Sequence, residues 1–167
     1  MRTTVAIVIF YSLLSIRANA QTSLFKMEAG IKLLANEYLI GFKNIKGLQK
    51  ETNEFYTGYA TSFVLPGGVD TTAEIRHYPN YMGKELLYYA IEMNKDSVLF
   101  DSIANMLQKI RFPFGRIVKV PSGADCMYRY VPVAKNLSPQ LKKINIVLWK
   151  PDDYECSSGL FTLAIGN

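Results

Sequence analysis

Histidine, cysteine and tryptophan are nearly missing from this 167-residue chain, which has one His, two Cys and one Trp. One imidazole and two thiols cannot assemble the usual zinc sets of four cysteines, two cysteines with two histidines, or three histidines. Cys126 and Cys156 lie too far apart for Cys-x-x-Cys redox chemistry, and neither has a basic neighbour to activate it. Catalytic signatures are missing as well, since neither Gly-x-Ser-x-Gly nor His-x-Glu occurs. Ser23-Leu24-Phe25-Lys26 matches Ser-x-x-Lys, but its companions Ser-Asp-Asn and Lys-Thr-Gly are absent, which marks a chance match at a helix start. His77 sits mid-strand between Arg76 and Tyr78 and reads as a partly exposed strand residue rather than a base. No metal and no cofactor are expected from this inventory.

What is present is the composition of a folded domain: 49% hydrophobic, 13% aromatic and 20% charged residues. The length suits one domain. At the N-terminus Arg2 precedes the mostly apolar run Val5–Leu14, and Ala18-Asn19-Ala20 has the small-x-small form of a signal-peptidase site. The reading is a secretory signal peptide over 1–20, cleaved after Ala20, with a single domain over 21–167. The apolar run is about half of the roughly twenty residues a bilayer core requires, Arg17 interrupts it, and no later run is long enough to span. Cleavage removes Arg2 and Arg17, two of 19 basic residues against 14 acidic ones, so the formal charge falls from +5 to +3. That modest, dispersed charge gives no case for nucleic acid. Lys142-Lys143 with Lys150 reads as a solvated strand edge. The destination is therefore periplasmic or secreted, an oxidising compartment in which Cys126 and Cys156 are expected to pair. Closing that loop of about thirty residues is worth roughly 3–4 kcal/mol in the chain-entropy picture.

Periodicity then sets the organisation. Leu24, Met27, Ile31, Leu34, Ala35 and Tyr38 form one apolar stripe of a helix from Leu24 to Tyr38, capped by Thr22 or Ser23 and ended by Gly41. Strands are expected over Phe42–Leu48, with a bulge at Gly47, and over Phe55–Leu65, Thr71–Tyr78 and Glu85–Met93. Pro66-Gly67-Gly68 turns the chain, and Pro79-Asn80-Tyr81-Met82-Gly83 breaks it. A second helix spans Asp96–Ile110 on the stripe Leu99, Phe100, Ile103, Leu107 and Ile110, capped by Asn94 or Asp96 and stopped by Pro113. Strands follow at Arg116–Val120, Met127–Val133, Lys143–Lys150 and Gly159–Ile165. No internal repeat is visible. The expectation is an α+β fold, ordered helix–strands–helix–strands, with two main helices packed on an antiparallel sheet of about six to eight strands.

Two groups qualify as sites. Asp152, Asp153 and Glu155, with Asp125 brought near by the disulfide, are the densest acidic set. They have the residue types of a glycosidase pair or a calcium site, although EF-hand spacing is missing and acidic turn residues account for them more simply. The eleven tyrosines recur in pairs: Tyr88-Tyr89, Tyr128 and Tyr130, Tyr78 and Tyr81, Tyr56 and Tyr59. Adjacent strand residues point to opposite faces, so such pairs place tyrosine outside the core. Tyrosine also favours strands for its own sake. Even so, Tyr78, Tyr81, Tyr128 and Tyr130 are the best indication of a binding surface, suited to protein or glycan. Asn136-Leu137-Ser138 matches a glycosylation sequon, which Pro139 disfavours.

The helix leading into Gly41-Phe42-Lys43-Asn44-Ile45-Lys46-Gly47, the Tyr-rich strand ending in Leu65-Pro66-Gly67-Gly68, and the Ala-Asn-Ala-Gln junction resemble small exported bacterial proteins of unknown function. The resemblance covers the first half of the mature chain and implies no activity. The leading expectation is a non-enzymatic exported domain that binds a partner through a tyrosine-bearing sheet face or edge. The alternatives are a small carboxylate-dependent hydrolase, and a lipid or small-ligand carrier with its cavity between helices and sheet.

Overall fold

The computed structural model describes residues 23–93, 97–122, 127–149 and 161–167. The expected signal segment, Cys126, Cys156, Asp125, Asp152, Asp153 and Glu155 lie outside the described residues.

Helix α1 (23–39) buries Met27, Ile31, Leu34 and Ala35, the stripe read from its periodicity. It ends in a Schellman motif. The Phe42 N–H donates to the Glu37 carbonyl at 2.7 Å and the Gly41 N–H to the Tyr38 carbonyl at 3.0 Å. Gly41 takes the left-handed φ of +68° that this cap requires. Phe42 follows at φ +58°, fully buried, its ring edge-on to Tyr38 at 6.1 Å. This cap delays the first strand, so 40–45 turn and β1 is Lys46–Thr52 rather than Phe42–Leu48.

The antiparallel strands β2 (Thr57–Thr61), β3 (Glu74–Tyr81) and β4 (Lys84–Met93) follow. The long strand expected over Phe55–Leu65 shrinks at both ends. Asn53 Oδ1 accepts from the Phe55 and Tyr56 amides at 2.8 and 3.0 Å, making a tight turn. At the other end Leu65 leaves the sheet to lie under α1, where Gly30 permits the approach: a Cβ there would meet Leu65 at 2.6 Å. The break expected at Pro79–Gly83 reduces to Met82-Gly83, both at positive φ, a two-residue hairpin.

Helix α2 (Ser97–Lys109) leads into β5 (Arg111–Phe112), β6 (Gly115–Val120) and β7 (Met127–Val133). A short helix α3 (Pro139–Lys143) precedes β8 (Asn145–Trp149) and β9 (Phe161–Gly166). Lys142 and Lys143 therefore close α3 and are not the strand edge that was expected. Ser138 is the α3 cap, its hydroxyl accepting from the Leu141 amide at 3.3 Å, with Pro139 just inside the helix.

Among the described residues nine strands form one sheet in the order β1-β2-β3-β4-β9-β8-β7-β6-β5, each pairing antiparallel. The α+β class with one antiparallel sheet stands; the sheet exceeds the expected six to eight strands because of the two-residue β5, and α3 between β7 and β8 adds a third helix to the expected order. A duplication is visible that the sequence hides: each half is a helix followed by a meander, and the last strands, β4 and β9, join the halves. Both helices cover the same face. Met27, Ile31, Leu34, Phe100, Ile103 and Leu107 pack with Ile75, Ile91, Ile146, Leu148, Leu163 and Ile165 in one buried cluster. Each such side chain contributes about 1.5–3 kcal/mol by leaving water. Among the described residues, no helix is long and apolar enough to cross a membrane.

Candidate functional site

Among the described residues α1 and α2 both pack on one face of the sheet, and the centre of the other face is low. On β9, Leu163 and Ile165 point to the helices, so Ala164 and Gly166 point away. Ala164 faces Ala90 on β4 and Val147 on β8, while Gly166 faces Tyr88 and Asn145. Small side chains thus make a floor across the middle of a nine-stranded sheet. Large ones stand on either side: Tyr78, Tyr81, Leu86 and Tyr88 from the β3–β4 hairpin, and Trp149 from β8. Between them lies a cleft of about 290 Å³. Gly166 is needed there because a Cβ would lie 2.3 Å from the Cβ of Tyr88.

The hairpin wall is an aromatic stack. Tyr78 lies between Tyr56 and Tyr88, with ring centroids at 5.0 and 5.9 Å, and meets Tyr81 edge-on at 5.8 Å. Contacts of this kind add about 0.5–1.5 kcal/mol each to area burial, so the wall is stiff. The Tyr88 hydroxyl donates to that of Tyr78 at 3.4 Å. Burial and this hydrogen bond push the Tyr88 pKa far above its ordinary value of 10.0, outweighing the nearby Arg76. Arg76 lies over the Tyr56 ring at 5.1 Å and pairs with Glu74. Burial disfavours its charge, but Glu74 more than compensates and holds the guanidinium ionised.

The amides near the floor are already engaged. Asn145 accepts from Arg129 Nε at 2.7 Å and donates to the Lys143 carbonyl at 2.8 Å. Asn167 accepts from the Leu87 amide at 2.7 Å and donates to the Glu85 carbonyl at 2.7 Å. The rest of the lining, Tyr78, Tyr81, Leu86, Tyr88, Val147, Trp149, Ala164 and Gly166, presents mainly aliphatic and aromatic surface.

A larger groove of about 1070 Å³ adjoins the cleft and shares Tyr81, Leu86, Val147, Asn145 and Asn167 with it. Its rim adds Lys84, Arg129, Lys142 and Lys143. The carboxylate in its lining is Glu85, bonded to His77 Nε2 at 2.8 Å.

Of the four tyrosines singled out by sequence, Tyr78 and Tyr81 meet in this site and Tyr128 and Tyr130 do not. The latter pair with Leu148 and Ile146, whose side chains face the helices, so register carries both tyrosines to the covered face. Tyr130 is fully buried, its hydroxyl 3.4 Å from the Ala104 carbonyl, and burial pushes its pKa up to about 12. Tyr128 packs on Phe100 at 5.4 Å beneath the Lys119 ammonium at 3.2 Å. The cleft also takes Tyr88, which the sequence offers only as half of the pair Tyr88-Tyr89, and Trp149, Ala164 and Gly166, which no motif marks. Their signal was the alternation Leu163-Ala164-Ile165-Gly166, large against small, beside a paired Tyr88-Tyr89.

No protein-family model matches the chain, and no curated protein or solved structure matches it.

Proposed function

We propose that the protein is an exported, non-enzymatic binding protein that holds the apolar part of a ligand in the cleft on the sheet face opposite α1 and α2. The observation that carries this reading is a floor of Val147, Ala164 and Gly166 between aromatic walls, with the neighbouring Asn145 and Asn167 amides already bonded within the chain. A glycan needs several directional hydrogen-bond partners, of which the mainly apolar lining offers few, whereas an apolar segment gains from leaving water against it. The reading therefore favours a carrier of an apolar ligand over a glycan binder. The cavity lies on the opposite face from the one expected, because the positions between helices and sheet close into a packed core. The N-terminal export signature supports delivery outside the cytoplasm.

Trp149 is the sole tryptophan and lines the cleft, so its emission reports occupancy. Titration with 1-dodecanol should give a saturable blue shift. The Ala164→Phe variant, which fills the cleft from its floor, should lose that response while keeping its melting temperature within a few degrees. No saturable response in the parent protein, or an unchanged one in a folded A164F, would reject the reading.

A further inference from the structure

We infer that the ligand is a single-chain amphiphile with an anionic head, its chain lying in the aromatic cleft and its head at the basic rim of the adjoining groove. The inference rests on the cleft reading above and extends it to the head group. Lys84 comes from β4, Arg129 from β7, and Lys142 and Lys143 from the end of α3. Residues far apart in sequence thus converge on one groove, which a single basic run on a solvated helix would not do. Among the described residues none of the three lysines pairs with a carboxylate, and Glu85 is held by His77. Placement is fixed from below: Arg129 is tied to Asn145, which holds the last carbonyl of α3 through Lys143. These contacts tie Arg129 to the end of α3 that carries Lys142 and Lys143, and all three line the same groove. Because the cleft and the groove share Tyr81, Leu86, Val147, Asn145 and Asn167, one molecule can occupy both without a break. The mainly apolar lining of the cleft suits the chain, and a concentration of positive charge at one end suits a carboxylate head.

The test compares dodecanoate, 1-dodecanol and dodecyltrimethylammonium at concentrations where each is monomeric, read by Trp149 emission. Dodecanoate is expected to bind about tenfold more tightly than dodecanol, with the cationic probe weakest and the preference shrinking as salt rises. Neutralising the exposed pair in Lys142→Gln/Lys143→Gln should remove most of that preference and leave dodecanol affinity unchanged. Equal affinity for all three probes would overturn the head-group inference and leave the cleft reading intact. A preference untouched by the double variant would overturn its assignment to this rim. No saturable response to any probe would overturn both. Since Lys142 and Lys143 are exposed, a folding failure is not expected, and a thermal melt of the variant checks it.

Discussion

Tyr88 and Tyr89 are consecutive on β4 and inhabit different environments. Tyr89 is fully buried under the helices and donates to the Phe63 carbonyl at 3.1 Å. Tyr88 stands on the other face as the inner wall of the cleft, bonded to Tyr78. The same division runs through the whole sheet. One face is filled by aliphatic side chains interlocked with two helices, and the other sets aromatic walls around a floor of Val147, Ala164 and Gly166. Identical backbone and register thus serve two purposes, and what separates them is the size of the residue at each alternate position. A large residue on β9 meets a helix; a small one leaves room.

Truncation should break this comparison most visibly. Tyr130→Ala and Ile165→Ala open voids against the helices and should each cost about 2–5 kcal/mol in denaturant unfolding. Tyr81→Ala, at a residue 49% exposed, should cost less than about 1 kcal/mol while weakening ligand binding. Similar losses on both faces would contradict the division.

Alkaline pH probes the same buried hydroxyls. Burial raises the Tyr89 pKa, and likewise raises that of Tyr130 to about 12, above the 10.0 of an unperturbed tyrosine. Between those values the unfolded chain has lost protons that the folded chain keeps, so stability is intact below about pH 10 and falls as pH rises through the folded values. Unfolding midpoints should hold to about pH 10 and then drop, with tyrosinate absorbance appearing alongside unfolding. A flat profile to about pH 12 would contradict this.

Gly166→Ala sharpens the comparison from the open side. Its Cβ collides with Tyr88, so it should cost about 1–3 kcal/mol and also blunt the Trp149 response by shifting the wall. The smallest effect is expected at the rim. Ser138→Ala removes the α3 cap, costing about 0.5–1 kcal/mol, and should loosen Lys142 and Lys143 enough to weaken dodecanoate but not dodecanol.

Much of the covered face was legible in the sequence. Both helices follow three- and four-residue apolar spacing, and Gly41 ends α1 as its position implied. Strands β4, β6 and β7 lie within a residue of where alternation places them. The open face was less legible for a physical reason. Alternation says that Tyr88 and Tyr89 part company, but not which of them the helices cover; that depends on pairing across β4, β9 and β8. Hence Tyr78 and Tyr81 line one cleft on the open face, while register carries Tyr128 and Tyr130, which the sequence groups with them, to the covered face. Helix α3 escaped because five residues carry no period, so its Ser-Pro start was the sole cue. The duplicated half-fold escaped because topology repeats here without residues repeating.

The central claim is that ligand meets one face of the sheet and not the other, and methyl NMR during a titration with 1-dodecanol tests it most directly. The account predicts shifts at the Ala164 and Val147 methyls, with Leu163, Ile165 and Ile146 unmoved. Shifts at the latter three with Ala164 and Val147 unmoved would place the ligand among the helices and contradict it.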